Sequence, residues 1–131
     1  MTKQFSLETK SEEFHPITHI VSSAVTDSGC QNGICIVYSP HTTAGITINE
    51  NADPDVVLDL LFALKKTFPD RKEFRHLEGN SAAHLKTSCI GNSIVVPIQN
   101  GSLLLGRWQG IYFCEFDGPR HRNFTVTVIN G

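Results

Sequence analysis

Apolar and polar residues alternate along Gln4-Phe5-Ser6-Leu7-Glu8-Thr9, the two-residue period of a half-buried strand. The spacing then changes to three and four. Val21, Ala24 and Val25 define the buried side of a helix, with Thr18 as its cap and Gly29 as the left-handed stop after its last turn. Gly33 to Tyr38 is a continuous apolar, β-branched run, which predicts a strand covered on both faces and stopped by Pro40. Alternation returns in Ala44 to Asn49, where Ile46 and Ile48 interleave with Thr47 and Asn49. Asp53-Pro54-Asp55 opens the best-marked helix: a capping Asp, a Pro where no N–H is needed, and a second Asp on the positive dipole end. Its core face is Val57, Leu60, Leu61, Leu64 and Phe68, and Pro69 closes it. A shorter helix begins near Asn80 and runs through Ala82, Ala83, His84 and Leu85 to about Ile90, with Gly91 as its stop. Ser93 to Ile98, Gly110 to Asp117 and Phe124 to Ile129 follow as strands. Strands outnumber helices without a strict βαβ rhythm, so the predicted fold class is α+β.

Composition narrows the picture. At 131 residues the chain is expected to form one domain, residues 1–131, long enough to bury a core without metal or disulfide staples. A net charge of -2 supplies no general field for nucleic acid, and none is expected as a partner. Even the apolar stretch Val56 to Leu64 is interrupted by Asp59, so no membrane span is expected. Met1-Thr2-Lys3-Gln4-Phe5 lacks the build of a signal peptide, and the expected location is cytoplasmic. Cys30, Cys35, Cys89 and Cys114 form no CxxC pair; Cys35 and Cys114 sit in apolar runs and read as small, reduced, buried hydrophobes.

Three segments carry the chemistry. His41-Thr42-Thr43, just past a buried strand, supplies a ligand or base together with hydroxyl donors suited to phosphate; Asn49 and Glu50 follow one strand later. In the second, His76 and His84 would lie about 12 Å apart along one continuous helix, too far to share an ion. Gly79 and Asn80 change this, because a sharp helix entry lets His76 fold back beside His84. With His41 they would make a three-nitrogen site with an open position for a divalent metal, Mg or Zn. The third segment, Arg107-Trp108-Gln109, offers an aromatic wall, a guanidinium and an orienting amide. Downstream, Glu115 stands between Phe113 and Phe116, either facing outward or held by a partner. Asp117-Gly118-Pro119-Arg120-His121-Arg122 is a turn with three basic side chains.

These motifs, in order, resemble the YjbQ family. The markers are His41-Thr42-Thr43-Ala44 with Thr47-Ile48-Asn49-Glu50-Asn51, Gly79-Asn80-Ser81-Ala82-Ala83-His84-Leu85-Lys86, and Leu105-Gly106-Arg107-Trp108-Gln109-Gly110-Ile111 leading into Glu115-Phe116-Asp117-Gly118-Pro119-Arg120. The likeness spans about Phe5 to Val128. Arg107 and Gly110 depart from it, standing where the family commonly has a small polar residue and a second Gln. The resemblance implies small cytosolic chains described as secondary thiamine-phosphate synthases, with an α+β subunit, a β-sandwich-like core, about three helices and a homotrimeric assembly. His41, Asn80, His84, Trp108, Gln109 and Glu115 fall on its motif positions.

The leading expectation is therefore an enzyme that joins hydroxymethylpyrimidine diphosphate to thiazole phosphate and releases pyrophosphate. His41, His84, Glu50 and Asn80 are its expected catalytic groups. Thr42, Thr43, Lys86, Trp108, Gln109 and Arg120 would bind the phosphorylated metabolite, and His41, His76 and His84 the metal. Two alternatives stay open: a metal-dependent hydrolase of a small metabolite, and a non-catalytic trimer that binds a small ligand. Light scattering at micromolar concentration tests the assembly: the expected mass is about three times 14.5 kDa, and a stable folded monomer would refute it.

Overall fold

Eight strands and three helices follow one another as β1 (Thr2–Glu8), β2 (Glu13–Pro16), α1 (Thr18–Ser28), β3 (Gly33–Tyr38), β4 (Ala44–Glu50), α2 (Pro54–Thr67), α3 (Ser81–Ile90), β5 (Ser93–Gln99), β6 (Ser102–Leu103), β7 (Gln109–Glu115) and β8 (His121–Asn130). The structure, a computed structural model, describes residues 1–131. The strands form a five-stranded sheet in the order β1-β8-β3-β5-β6 and a three-stranded sheet in the order β2-β7-β4. Every pairing is antiparallel. No helix is long and apolar enough to cross a membrane.

The two sheets face each other, because alternate residues of each strand point inward. Cys35 and Val37 from β3, Val96 and Ile98 from β5, and Phe124, Val126 and Val128 from β8 meet Ala44 and Ile46 from β4 and Ile111 and Phe113 from β7. Helix α1 closes the same core with Val21, Ala24 and Val25. A second, smaller cluster lies on the outer face of the three-stranded sheet: Phe14, Tyr112, Cys114, Phe116 and, from α3, Ala83. Val57, Leu60, Leu61 and Leu64 of α2 pack onto it as expected, although no residue of α2 is fully buried.

The structure corrects two expectations. The strand covered on both faces is β7, where Gly110 to Glu115 are all buried, whereas β3 leaves Ile34 (37%) and Tyr38 (43%) exposed. Thr18 does not cap α1: the cap position is Ile17 without a side-chain bond, and Thr18 Oγ1 accepts the Ile111 N–H at 2.8 Å, tying helix to sheet. Asp53 does cap α2, with Oδ1 accepting the Asp55 N–H at 2.9 Å. All four cysteines are free; Cys30, Cys35 and Cys114 are buried and Cys89 is exposed.

One close approach positions the functional end of the molecule. The Ile46 N–H donates to Gly91 O at 3.1 Å, splicing the end of α3 onto β4, and the Ser39 N–H donates to Asn92 O at 2.8 Å, extending the β3–β5 pairing beside it. A Cβ at Gly45 would lie 2.3 Å from Gly91 O, so only glycine permits this contact.

The two clusters differ in how much each side chain contributes. Phe124→Ala, in the inner core, is expected to cost about 3–5 kcal/mol, whereas Leu61→Ala, on the half-exposed α2 face, should cost about 1–2 kcal/mol. Urea unfolding monitored by circular dichroism checks both, and equal costs would contradict this layering.

Candidate active site

The site is built on a buried ion pair between the sheets. Glu115 ends β7 with no exposure at all, and Arg122, the second residue of β8, is buried beside it. Glu115 Oε1 accepts from Arg122 Nε at 2.7 Å and from Thr9 Oγ1 at 2.6 Å. Its Oε2 accepts from Arg122 Nη2 at 2.5 Å and from the Asp117 N–H at 2.9 Å. Burial alone would raise the carboxyl pKa, but the bonds from Arg122, Thr9 and Asp117 outweigh it and hold the group below the usual glutamate value. Arg122 Nη2 also donates to Thr43 Oγ1 at 2.8 Å. Nη1 is the guanidinium nitrogen left without a protein partner.

Above this pair lies an open recess of about 450 Å³, lined by residues 40–43, His76, Glu78, Asn80, His84, Arg120 and Arg122, with no hydrophobic side chain. His41 is clamped there: Nε2 accepts the Asn123 N–H at 2.9 Å, and the ring stands edge-on to Phe113 with centroids 6.4 Å apart. Burial, then the Arg122 charge, lowers its pKa, with Glu115 opposing. Gly79, at φ 77°, turns the chain so that His76 folds back to 5.4 Å from the His84 ring, as expected from the sequence. The Asn80 side chain does not cap α3. Its Nδ2 donates to Asp117 Oδ2 at 2.8 Å and Glu78 Oε2 at 3.0 Å, which leaves Oδ1 buried and unpartnered. Arg120 binds the same Asp117 oxygen at 2.9 Å. A second recess of about 440 Å³ adjoins the first, sharing His41, Thr42 and His84 and continuing to Thr87, Ser88, Gly91 and Asn92.

Seven of the expected site residues therefore meet: His41, Thr42, Thr43, His76, Asn80, His84 and Arg120. Glu50 and Gln109 do not, because Ala44 pairs with Glu115 at one end of the β4–β7 ladder and Glu50 with Gln109 at the other. Six residue steps at about 3.3 Å separate the two ends by about 20 Å. Trp108 shares that far end, half-exposed, with the Arg107 guanidinium 4.9 Å from its ring and its carbonyl accepting the Asn51 N–H. Lys86 is two residues from His84 on α3 and points to the other side, buried against Glu12 at 3.2 Å and over the Phe116 ring. Of the three expected metal ligands, His76 and His84 stand side by side and His41 borders the same recess. No group of three or more His, Cys, Asp or Glu side chains is placed to hold an ion, and His41 Nε2 is already engaged by a backbone N–H. The sequence marks Arg122, with Lys86 and Arg120, as a phosphate-binding candidate but does not reveal its pairing with Glu115, and it does not single out Thr87 and Ser88. Their spacing of three and four from His84 places them on its helix face.

Fold and site together define a two-sheet α+β protein with a polar, histidine-lined cleft at one end of its sandwich. The chain belongs to the UPF0047/YjbQ family, matching the description "UPF0047 protein YjbQ-like" over residues 3–131. It is 54% identical over 122 residues to the UPF0047 protein YugU of Bacillus subtilis, covering 92% of each chain. It is 52% identical over 120 residues to a UPF0047 protein of Methanocaldococcus jannaschii, covering 92% of this chain and 87% of that one. A crystal structure of a YjbQ/UPF0047 family protein from Clostridium acetobutylicum superposes with a TM-score of 0.95 at 53% identity, covering 97% of this chain and 99% of that one. A YbjQ-like protein of unknown function from Sulfolobus solfataricus gives 0.95 at 31% identity, covering 100% and 97%.

The buried pair has a pH signature. Because the Glu115 pKa is lowered by folding, its contribution is present above the unfolded value and lost as pH falls through the folded one. Glu115→Gln strands the Arg122 charge and should cost about 3–5 kcal/mol at neutral pH. That deficit should shrink below pH 4.5, the ordinary value for the group, in unfolding measured against pH. Glu115→Leu with Arg122→Met should recover much of the loss, because no charge is left unpaired. An unchanged stability for Glu115→Gln would show that the pair is not formed.

Proposed function

We propose that this chain is a two-substrate transferase acting on small phosphorylated metabolites, of the thiamine-phosphate synthase type. The observation that carries the reading is the division of one cleft into a charged recess and a neutral polar one, meeting at His41 and His84. A diphosphate suits the charged side, where Arg120 and Arg122 line the same space and Thr42 adds a hydroxyl. The second substrate suits the neutral side, where Thr87, Ser88 and Asn92 offer hydrogen bonds.

The chemistry needs little covalent help from the protein. A ring nitrogen of the second substrate attacks the carbon that bears the diphosphate. The C–O bond breaks with its electron pair on the departing pyrophosphate, and the guanidinium groups stabilise that charge. His84, whose ring makes no hydrogen bond to the protein and borders both recesses, is the group positioned to exchange a proton with the leaving oxygen. Trp108 supplies no stacking surface here, so a heterocycle would be held by its polar edge. The apolar outer stripe of the larger sheet, where Ile34 pairs with Ile129 and neighbours Pro97, supports a further proposal that copies of the chain cover this face in the expected homotrimer.

Incubation with hydroxymethylpyrimidine diphosphate and thiazole phosphate, with and without a chelator, tests the reading by release of pyrophosphate. Turnover that requires both substrates is expected, and His84→Ala should lower kcat by about 10²–10⁴ while the fold is kept. Release without the thiazole phosphate would support a hydrolase instead. Saturable pyrophosphate binding without turnover would support a non-catalytic binder. The absence of both binding and turnover would overturn the proposal.

A further inference from the structure

The hydrogen bond that clamps His41 also fixes where its proton sits. A backbone amide can only donate, so Nε2, 2.9 Å from the Asn123 N–H, accepts through its lone pair. In the neutral ring the hydrogen then resides on Nδ1, which has no partner within the chain, while the residue borders both recesses. From this geometry we propose that His41 is a fixed hydrogen-bond donor, presenting Nδ1–H to an anionic oxygen of the bound ligand, and is neither a metal ligand nor the general base.

Three contacts hold the ring and its main chain. Asn123 binds Nε2, Phe113 meets the ring edge-on, and Ser39 Oγ accepts the His41 backbone N–H at 3.3 Å. Moving the proton to Nε2 would set two N–H donors against each other, and full protonation would do the same. The charged and titratable groups facing it are Arg122 and Glu115 beside the ring and His76, Glu78, His84 and Arg120 around the recess. Burial and the Arg122 charge further disfavour the imidazolium. A neutral imidazole that donates can stabilise developing negative charge without giving up its proton. The two histidines thereby divide the work, with His41 donating and His84 free to exchange a proton. The nature of the ligand rests on the phosphate reading above, whereas the tautomer does not.

Long-range ¹H–¹⁵N correlation spectra of the full chain at neutral pH read the tautomer directly, and pyrophosphate is the added probe. The expected spectrum shows a protonated Nδ1 and an unprotonated Nε2 for His41, with Nδ1–H shifting as pyrophosphate saturates. His41→Asn, which can place an amide N–H near the Nδ1 position, should keep binding within about threefold, whereas His41→Gln should lose about tenfold or more, the loss of one charge-assisted bond. A proton on Nε2, or a ring shifted by added zinc, overturns the proposal. So does pyrophosphate binding that leaves the His41 signals unmoved. If pyrophosphate does not bind at all, the phosphate reading falls and the donor role with it, but the tautomer, seen in the same spectra, separates that failure from a wrong geometry.

Discussion

The Glu115–Arg122 pair is the contact on which this end of the molecule depends. Glu115 belongs to the small sheet and Arg122 to the large one, and Thr9 and Thr43 join from the segments that leave β1 and enter β4. Two charges buried this deeply are costly, and replacing such pairs by apolar groups often stabilises a protein. Here almost every hydrogen-bonding position of the carboxylate is filled, which offsets much of that cost and permits only one register between the sheets. The same geometry leaves one guanidinium nitrogen without a protein partner. A structural bond and an unpaired donor are thus parts of one side chain.

The character of the cleft follows from where it sits. It lies outside both hydrophobic clusters, at the end of the sandwich where strand termini and the entry of α3 leave main-chain and polar groups in reach, and neither recess has a hydrophobic lining residue. Binding there has little apolar burial to draw on and must come from charge and hydrogen bonds. Such interactions weaken with ionic strength at an open site. The buried, unpartnered Oδ1 of Asn80 fits the same picture, since Asn80 is committed through its amide nitrogen to Asp117 and Glu78 rather than to capping its helix.

Local signals made most of the fold legible. Asp53-Pro54-Asp55 and the three-and-four spacing after it mark α2 because capping and amphipathicity act within a few residues. The folding back of His76 was readable for the same reason, from Gly79 and Asn80. Asn100-Gly101, with φ values of 51° and 79°, carries the hairpin signal for β5 and β6 in plain view, although the two-residue β6 is too short to show a period. Long-range register was not legible. Nothing local says that Ala44 lies opposite Glu115, so Glu50, Trp108 and Gln109 looked as eligible for the site as His41 did. The burial of β3 was misread because an apolar run is the same whether its second face meets a helix or remains open. The burial of Arg122 was not legible because only its partner across the sheets makes it tolerable.

The splice at Gly45 sets a limit on what this cleft can become. The wall carrying His84 is held against the wall carrying His41 by backbone bonded to backbone, with no side chain between them to shorten or lengthen. Substitution can change the chemistry of either wall, yet the gap changes only if the splice breaks. In any chain that shares this splice, side chains could alter the polarity of the cleft while the backbone spacing of its two walls stayed the same.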